Sequence, residues 1–295
     1  MDCYITWASE KMIHSEGGYS LNNPQNRILY GELKEIWKES FHDTDEYIEL
    51  FLQDRFDPRR TIVAVYQNKV VGTLYLFQSE IIAAKGVTPI LFGYALGVLK
   101  SYRGHGISKM IHDFLFRHCE ADNCAYIFHA ANEKLEAYYE SIGIKKAGYM
   151  KKATFFYKKG KVPDIVLKNI TPEEYTKHRK NFFMEKGFLN WDLDAIRYAI
   201  KENEYCGGFC KKLICRTGEY LIFGKVIDNW LILIETTVPD HRLEAYLEEV
   251  TAYFGVHKVS VYLPVSSKVE GDIMLQIMGY RTHVLEHGYW NMLLS

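Results

Sequence analysis

The run Leu96-Gly97-Val98-Leu99-Lys100-Ser101-Tyr102-Arg103-Gly104-His105-Gly106-Ile107-Ser108 constrains this 295-residue chain more than any other segment. An apolar stretch that reads as a strand ends in a basic turn punctuated by Gly104 and Gly106. An amphipathic helix starts at once, with Ile107, Met110, Ile111, Phe114 and Leu115 on one face. A helix N-terminus has about four backbone N–H groups without internal partners, and the helix dipole adds partial positive charge there. Glycines at 104 and 106 remove the Cβ atoms that would hold a ligand away from those donors. The product is an anion cradle suited to a phosphate or pyrophosphate.

Three glycine-rich turns compete for this segment. A P-loop requires G-x-x-x-x-G-K-[ST], a string found nowhere in the chain. A dinucleotide fold requires G-x-G-x-x-G and an acid at the tip of the next strand. Here the third glycine position holds Lys109, and the next apolar run, Ala125 to Phe128, leads into His129-Ala130-Ala131. The third pattern fits. Arg103-Gly104-His105-Gly106-Ile107-Ser108, following the strand Leu96-Gly97-Val98, resembles motif A of the GNAT superfamily of acetyl-CoA-dependent N-acyltransferases, [QR]-x-x-G-x-[GA]. Ser108 replaces the usual glycine or alanine, and Lys100 stands where many members carry proline.

A second stretch resembles the same family in the order the family needs. Asn132, Tyr139 and Gly143 keep the spacing of N-x-x-A-x-x-x-Y-x-x-x-G-F, with Leu135 for the alanine and Ile144 for the phenylalanine. On a helix, 132 and 139 share a face two turns apart. Asparagine suits the helix start and Gly143 its C-terminal stop.

The resemblance implies roles for these residues. Backbone N–H groups of Arg103, Gly104, His105, Gly106, Ile107 and Ser108 would hold the pyrophosphate of acetyl-CoA. The strand Leu96, Gly97, Val98 would pair with the pantetheine arm, and Asn132 would contact that arm. Tyr139 would protonate the departing thiolate, so that acetyl passes directly to an amine. Three candidates stand for the general base: His129, Glu80 and the C-terminal carboxylate at Ser295.

Composition bounds what else the chain could be. It is 48% apolar and 25% charged with a net charge of −1, a balance without the basic runs that a nucleic-acid partner needs. No apolar stretch approaches the ~20 residues that cross a bilayer, so no membrane partner is expected. Cys3, Cys119, Cys124, Cys206, Cys210 and Cys215 show no C-x-x-C spacing. They are read as reduced thiols of a cytoplasmic protein, with no metal site.

The expected fold class is α/β with mixed (α+β) sheets: two tandem GNAT-like domains, each a mixed central sheet flanked by helices. The first domain is placed at residues 1–160. Leu29, Leu33, Ile36, Trp37 and Phe41 form a helical stripe, and Asp43 with Glu46 at capping-box spacing opens a second helix. Thr61–Tyr66 and Val70–Phe77 read as a hairpin, and Thr154–Tyr157 is expected to close the first sheet. No first strand is evident before Leu29.

The boundary falls in the charged run from Lys158 to Pro163, and the second domain is placed at 161–295. A strand from Asp164, a helix opened by Thr171-Pro172, helical material to Asn203, a hairpin around Asp228-Asn229, a helix bearing Leu243, Tyr246, Leu247 and Val250, and strands His257–Leu263 and Tyr289–Leu294 echo the first half. At its equivalent turn this half has Val238-Pro239-Asp240-His241-Arg242, without glycine. Asp240 is expected to cap that helix and repel phosphate. Aromatic residues Phe182, Phe183, Phe188 and Trp191 are candidates for lining an acceptor pocket.

The leading expectation is an acetyl-CoA-dependent N-acetyltransferase acting on a primary amine of a small molecule or peptide. A non-catalytic acyl-CoA-binding sensor is the alternative, and a tandem-domain aminoacyl transferase using charged tRNA is disfavoured by the intact cradle and neutral charge. A homodimer is the self-assembly held open.

Overall fold

Two residues with positive φ, Gln67 (47°) and Asn68 (65°), turn the chain sharply between two β-rich runs. That backbone is the signature of a tight hairpin turn whose twist matches the strands. It joins β2 (Thr61–Tyr66) to β3 (Lys69–Ala83). The computed structural model describes residues 2–14, 19–20, 22–83, 86–158, 162–184, 187–282 and 288–291. The first strand that the sequence left unplaced is β1 (Cys3–Trp7), antiparallel to β2 from Cys3↔Tyr66 to Trp7↔Ile62.

The two expected helices follow β1. Helix α1 (Pro24–Phe41) is capped by Asn23, starts on a proline and buries Leu29, Leu33, Ile36 and Trp37. Helix α2 (Asp45–Asp54) is capped by the Thr44 side chain, which accepts the Tyr47 N–H. Asp43, the expected cap, instead accepts the Trp37 indole N–H at 2.8 Å. A buried indole donor demands a partner, and that demand takes the carboxylate away from the helix end.

Strand β4 (Gly86–Val98), helix α3 (Ile107–Ala121), strand β5 (Ala125–Phe128) and helix α4 (Glu133–Ser141) come next. β4 and β5 are parallel, as a strand–helix–strand crossover requires. The C-terminal elements are β6 (Lys145–Phe156), β7 (Val166–Asn169), α5 (Pro172–Phe183), β8 (Phe188–Trp191), α6 (Leu193–Tyr205), β9 (Gly208–Cys215), β10 (Gly218–Ile227), β11 (Trp230–Thr236), α7 (Asp240–Phe254), β12 (Lys258–Pro264) and β13 (Asp272–Tyr280). The architecture is mixed α/β, as expected.

The chain forms two compact units. The first holds Met1–Gln78, Pro89–Phe128 and Tyr138–Ile144; the second holds Ser79–Thr88, His129–Ala137 and Lys145–Ser295. Strand order in the first is β1-β2-β3-β4-β5. In the second it is β13-β6-β12-β11-β10-β9-β7, with β8 pairing antiparallel to Ser79–Ile82. In the second unit Leu231, Leu233, Val259, Val261 and Ala153 pack under Leu243, Leu247 and Val250 of α7.

Thr154–Phe156 does not close the first sheet: β6 pairs along its length with β12 and β13. Its buried positions, Met150 and Ala153 among them, have partners supplied only by later chain. The helical stretch expected through Asn203 is broken by β8, which places Phe188 and Trp191 on a strand. β9 and β13 were not foreseen. Of the expected last strand only Tyr289–Asn291 is described, with Tyr289 bridging Phe188; 292–295, and Lys159–Lys161 at the proposed boundary, lie outside the described residues. Among the described residues no helix is long and apolar enough to cross a membrane.

Candidate active site

The cradle begins where β4 departs from regularity. Its parallel pairing with β5 runs from Ile90↔Ala125 to Phe92↔Ile127, while β4 itself continues to Val98. At Gly93 an added Cβ would lie 2.5 Å from the Tyr126 hydroxyl, so glycine lets the β5 tyrosine lie across β4. Two residues on, Ala95 adopts φ 50°, in the left-handed region that a non-glycine residue rarely occupies. An αL residue inside a strand re-aims the backbone beyond it, which here is Leu96-Gly97-Val98. Gly97 has its own packing reason: a Cβ there would meet Ile36 Cγ2 and Ser40 Oγ of α1, each at 2.9 Å.

The turn that follows is exposed from Arg103 to Gly106. Gly104 (φ 81°) and Gly106 (φ 77°) are both left-handed, and the space their Cβ atoms would fill is open to 4 Å. Gly106 is the N-cap of α3, no side chain caps the helix, and no acid lies in its first turn. The opening N–H groups at Ile107 and Ser108 therefore face no competing carboxylate. Ile107 is buried, anchoring the turn, and its Cγ2 would lie 3.1 Å from a Cβ on Gly72. Arg103 Nε donates to the Val98 carbonyl at 2.8 Å, tying the end of β4 to the turn. Exposed His105 adds no bond of its own among the described residues.

α7 offers the contrast. Its N-cap is Pro239, also without a side-chain cap. Asp240 does not cap the helix as expected; its carboxylate accepts the Lys268 N–H at 2.9 Å. The acid still sits in the first turn, where it opposes a bound anion.

Asn132 caps α4, its Oδ1 accepting the Leu135 N–H at 3.0 Å. Tyr139 is buried, and burial pushes its phenol up to about 12. It packs edge-on against Phe128 at 4.5 Å and against His112 at 5.6 Å. His112 in turn holds Ser108, with Nδ1 2.8 Å from the carbonyl oxygen. Ser108 and Tyr139 are thus brought together through a histidine that sequence reasoning passed over. The available signal was a lone imidazole on the apolar face of α3.

His129 Nδ1 lies 3.0 Å from the Gln276 carbonyl, leaving Nε2 for other partners. Glu80 Oε2 accepts from Asn190 Nδ2 at 3.3 Å beside the β8 pairing. Ser295 lies outside the described residues. Among the described residues no cluster of His, Cys, Asp or Glu is arranged to hold a metal.

A parallel β–α–β unit with a side-chain-free, acid-free helix start meets its counterpart in known sequences: residues 29–147 match the acetyltransferase (GNAT) domain. Residues 29–147, under half of the chain, are thus similar to a GNAT acetyltransferase domain. Several solved structures resemble the chain over most of its length. A GCN5-related N-acetyltransferase from Anabaena variabilis has TM-score 0.66 and 12% identity, covering 94% of this chain and 72% of its own. One from Kribbella flavida has TM-score 0.65 and 12% identity, covering 94% and 70%. Eis1 from Mycobacterium abscessus has TM-score 0.64 and 11% identity, covering 94% and 72%. At these identities the likeness is one of fold. No curated protein sequence matches the chain.

Proposed function

We propose that this chain is an acetyl-CoA-dependent N-acetyltransferase that passes acetyl directly to a primary amine of a small molecule or peptide. The observation that carries the reading is the open N-terminus of α3. Its N-cap is a left-handed glycine, its first turn holds no acid, and the volume in front of Gly104 and Gly106 is clear.

Acetyl-CoA is the substrate that supplies the activated acyl group. Amides of Arg103 to Ser108 would bind its diphosphate, with the Arg103 guanidinium adding positive charge. Backbone of Leu96, Gly97 and Val98, re-aimed by Ala95, would pair with the pantetheine arm, and Asn132 would contact that arm. A backbone N–H there would stabilise charge developing on the acyl oxygen, an effect often worth ~3 kcal/mol. Tyr139 would donate a proton to the departing sulfur. Burial, which pushes the phenol up to about 12, keeps it in the protonated form that a proton donor needs.

We further propose that the reaction belongs to residues 1–160 and that 161–295 is a degenerate GNAT-like domain. The parallel pair β11 and β12 joined by α7 repeats the β4–α3–β5 unit, while Asp240 and the absence of glycine remove the cradle chemistry.

Thiol release from acetyl-CoA across a panel of amines tests the reading. Tyr139→Phe is expected to lower kcat by roughly 10²-fold or more, with coenzyme A affinity within about twofold of the parent. Unchanged turnover would remove Tyr139 from the reaction. Coenzyme A binding without thiol release for any amine would point instead to an acyl-CoA sensor.

A further inference from the structure

His112 stands on the apolar face of α3 and is wholly buried. Its Nδ1 lies 2.8 Å from the Ser108 carbonyl oxygen. A carbonyl can only accept, so Nδ1 carries the proton and the ring is the neutral Nδ1–H tautomer. Nε2 is then a bare acceptor, and among the described residues it has no partner. Burial pushes the imidazole down to about 4, which keeps it uncharged around neutrality. A buried acceptor without a donor destabilises a fold, so this residue is not explained by stability.

Its surroundings offer another account. The ring meets Tyr139 at 5.6 Å and 64°, Phe128 at 6.3 Å and Tyr126 at 5.8 Å. Phe128 also packs edge-on against Tyr139, at 4.5 Å. One edge of the imidazole is therefore tied to the first turn of α3, and the same ring forms part of the wall that holds the phenol.

Resting on the reading of Tyr139 as proton donor, we propose that His112 is a positioning residue that fixes the Tyr139 ring relative to the anion-binding turn. The directional Nδ1–H···O=C bond to Ser108 sets the rotation of the imidazole, and the imidazole sets the phenol. Leucine would fill the same volume with no bond to the turn, leaving the phenol free to adopt more than one orientation. Reaction geometry is sensitive to displacements of this size.

Three variants of the full chain separate these roles. Asparagine can place a donor where Nδ1 lies and keep the Ser108 bond; glutamine places its amide nearer Nε2 and loses it; leucine keeps only volume. With saturating acetyl-CoA and an accepted amine, H112L and H112Q are expected to lose at least tenfold in kcat with KM for acetyl-CoA within twofold. H112N should recover to within threefold of the parent, and H112L should melt no lower than the parent. Parent-like kcat in H112L, equal losses in H112L and H112N, or losses that track melting temperature across the three would overturn the proposal.

Nuclear magnetic resonance on ¹³C-tyrosine protein, with the Tyr139 signal assigned from Tyr139→Phe, gives a readout independent of turnover. One set of ring signals is expected in the parent and H112N, and broadened or doubled signals in H112L. Identical ring signals in all variants would sink the positioning role whatever the kinetics. Parent-like turnover of Tyr139→Phe would instead sink the proton-donor reading alone, with the ring signals still deciding whether His112 fixes Tyr139.

Discussion

Gly106 shows how much one backbone angle can carry. At φ 77° an L-residue pays steric strain of roughly 1–2 kcal/mol. The same substitution puts a Cβ into the open volume in front of α3. Gly106→Ala should therefore lower folding stability by about 1–2 kcal/mol and weaken coenzyme A binding at least ~10-fold, measured by chemical denaturation and isothermal titration calorimetry. Affinity equal to the parent would place the ligand elsewhere. The cradle glycines were legible in the sequence because a left-handed φ writes itself as glycine. Ala95 and His112 were not. Alanine at φ 50° leaves no compositional trace, and the value of His112 depends on neighbours from β5 and α4. The exchange of Asp43 for Thr44 at the cap of α2 had a similar origin: the indole of Trp37, six residues earlier in the chain, claims the Asp43 carboxylate.

Among elements, β4, α3 and β5 were legible because period and punctuation change together at the turn. β8, β9 and β13 were not. β13 reads Asp-Ile-Met-Leu-Gln-Ile-Met-Gly-Tyr, with unbranched residues that suit a helix, yet pairing with β6 makes it a strand. β9 carries Lys211-Lys212 in its middle, which hides its alternation. Contacts between elements also explain Gly97, where α1 lies directly on β4. Gly97→Ala forces a Cβ within 2.9 Å of Ile36 and Ser40. Overpacking of this kind typically costs about 1–3 kcal/mol, and the denaturation midpoint should fall accordingly. A neutral result would mean that α1 moves off the strand without penalty.

Across the whole chain, the mixed α/β character was visible, but the partner of β6 was not, since its pairing residues lie more than a hundred positions later in β12 and β13. The second unit also hides a charged centre. Arg179 and Glu235 pair at 2.9 Å with side chains 3% and 0% exposed, Tyr175 donates to the same carboxylate, and Arg179 also donates to the Leu189 carbonyl. Removing one partner strands the other charge, so Glu235→Leu is expected to destabilise by about 3–5 kcal/mol. The double variant Arg179→Met, Glu235→Leu should recover much of that loss in urea titrations. A double variant as unstable as the single one would show that the network's hydrogen bonds, rather than its charge balance, hold this region.

The bare start of α3 reaches beyond catalysis. A helix that owns no cap leaves its first donors to whatever anion the surrounding medium offers, and any species that prefers them in the folded chain raises its melting point by mass action. Thermal comparisons among variants of this chain consequently mean something only at matched phosphate and sulfate.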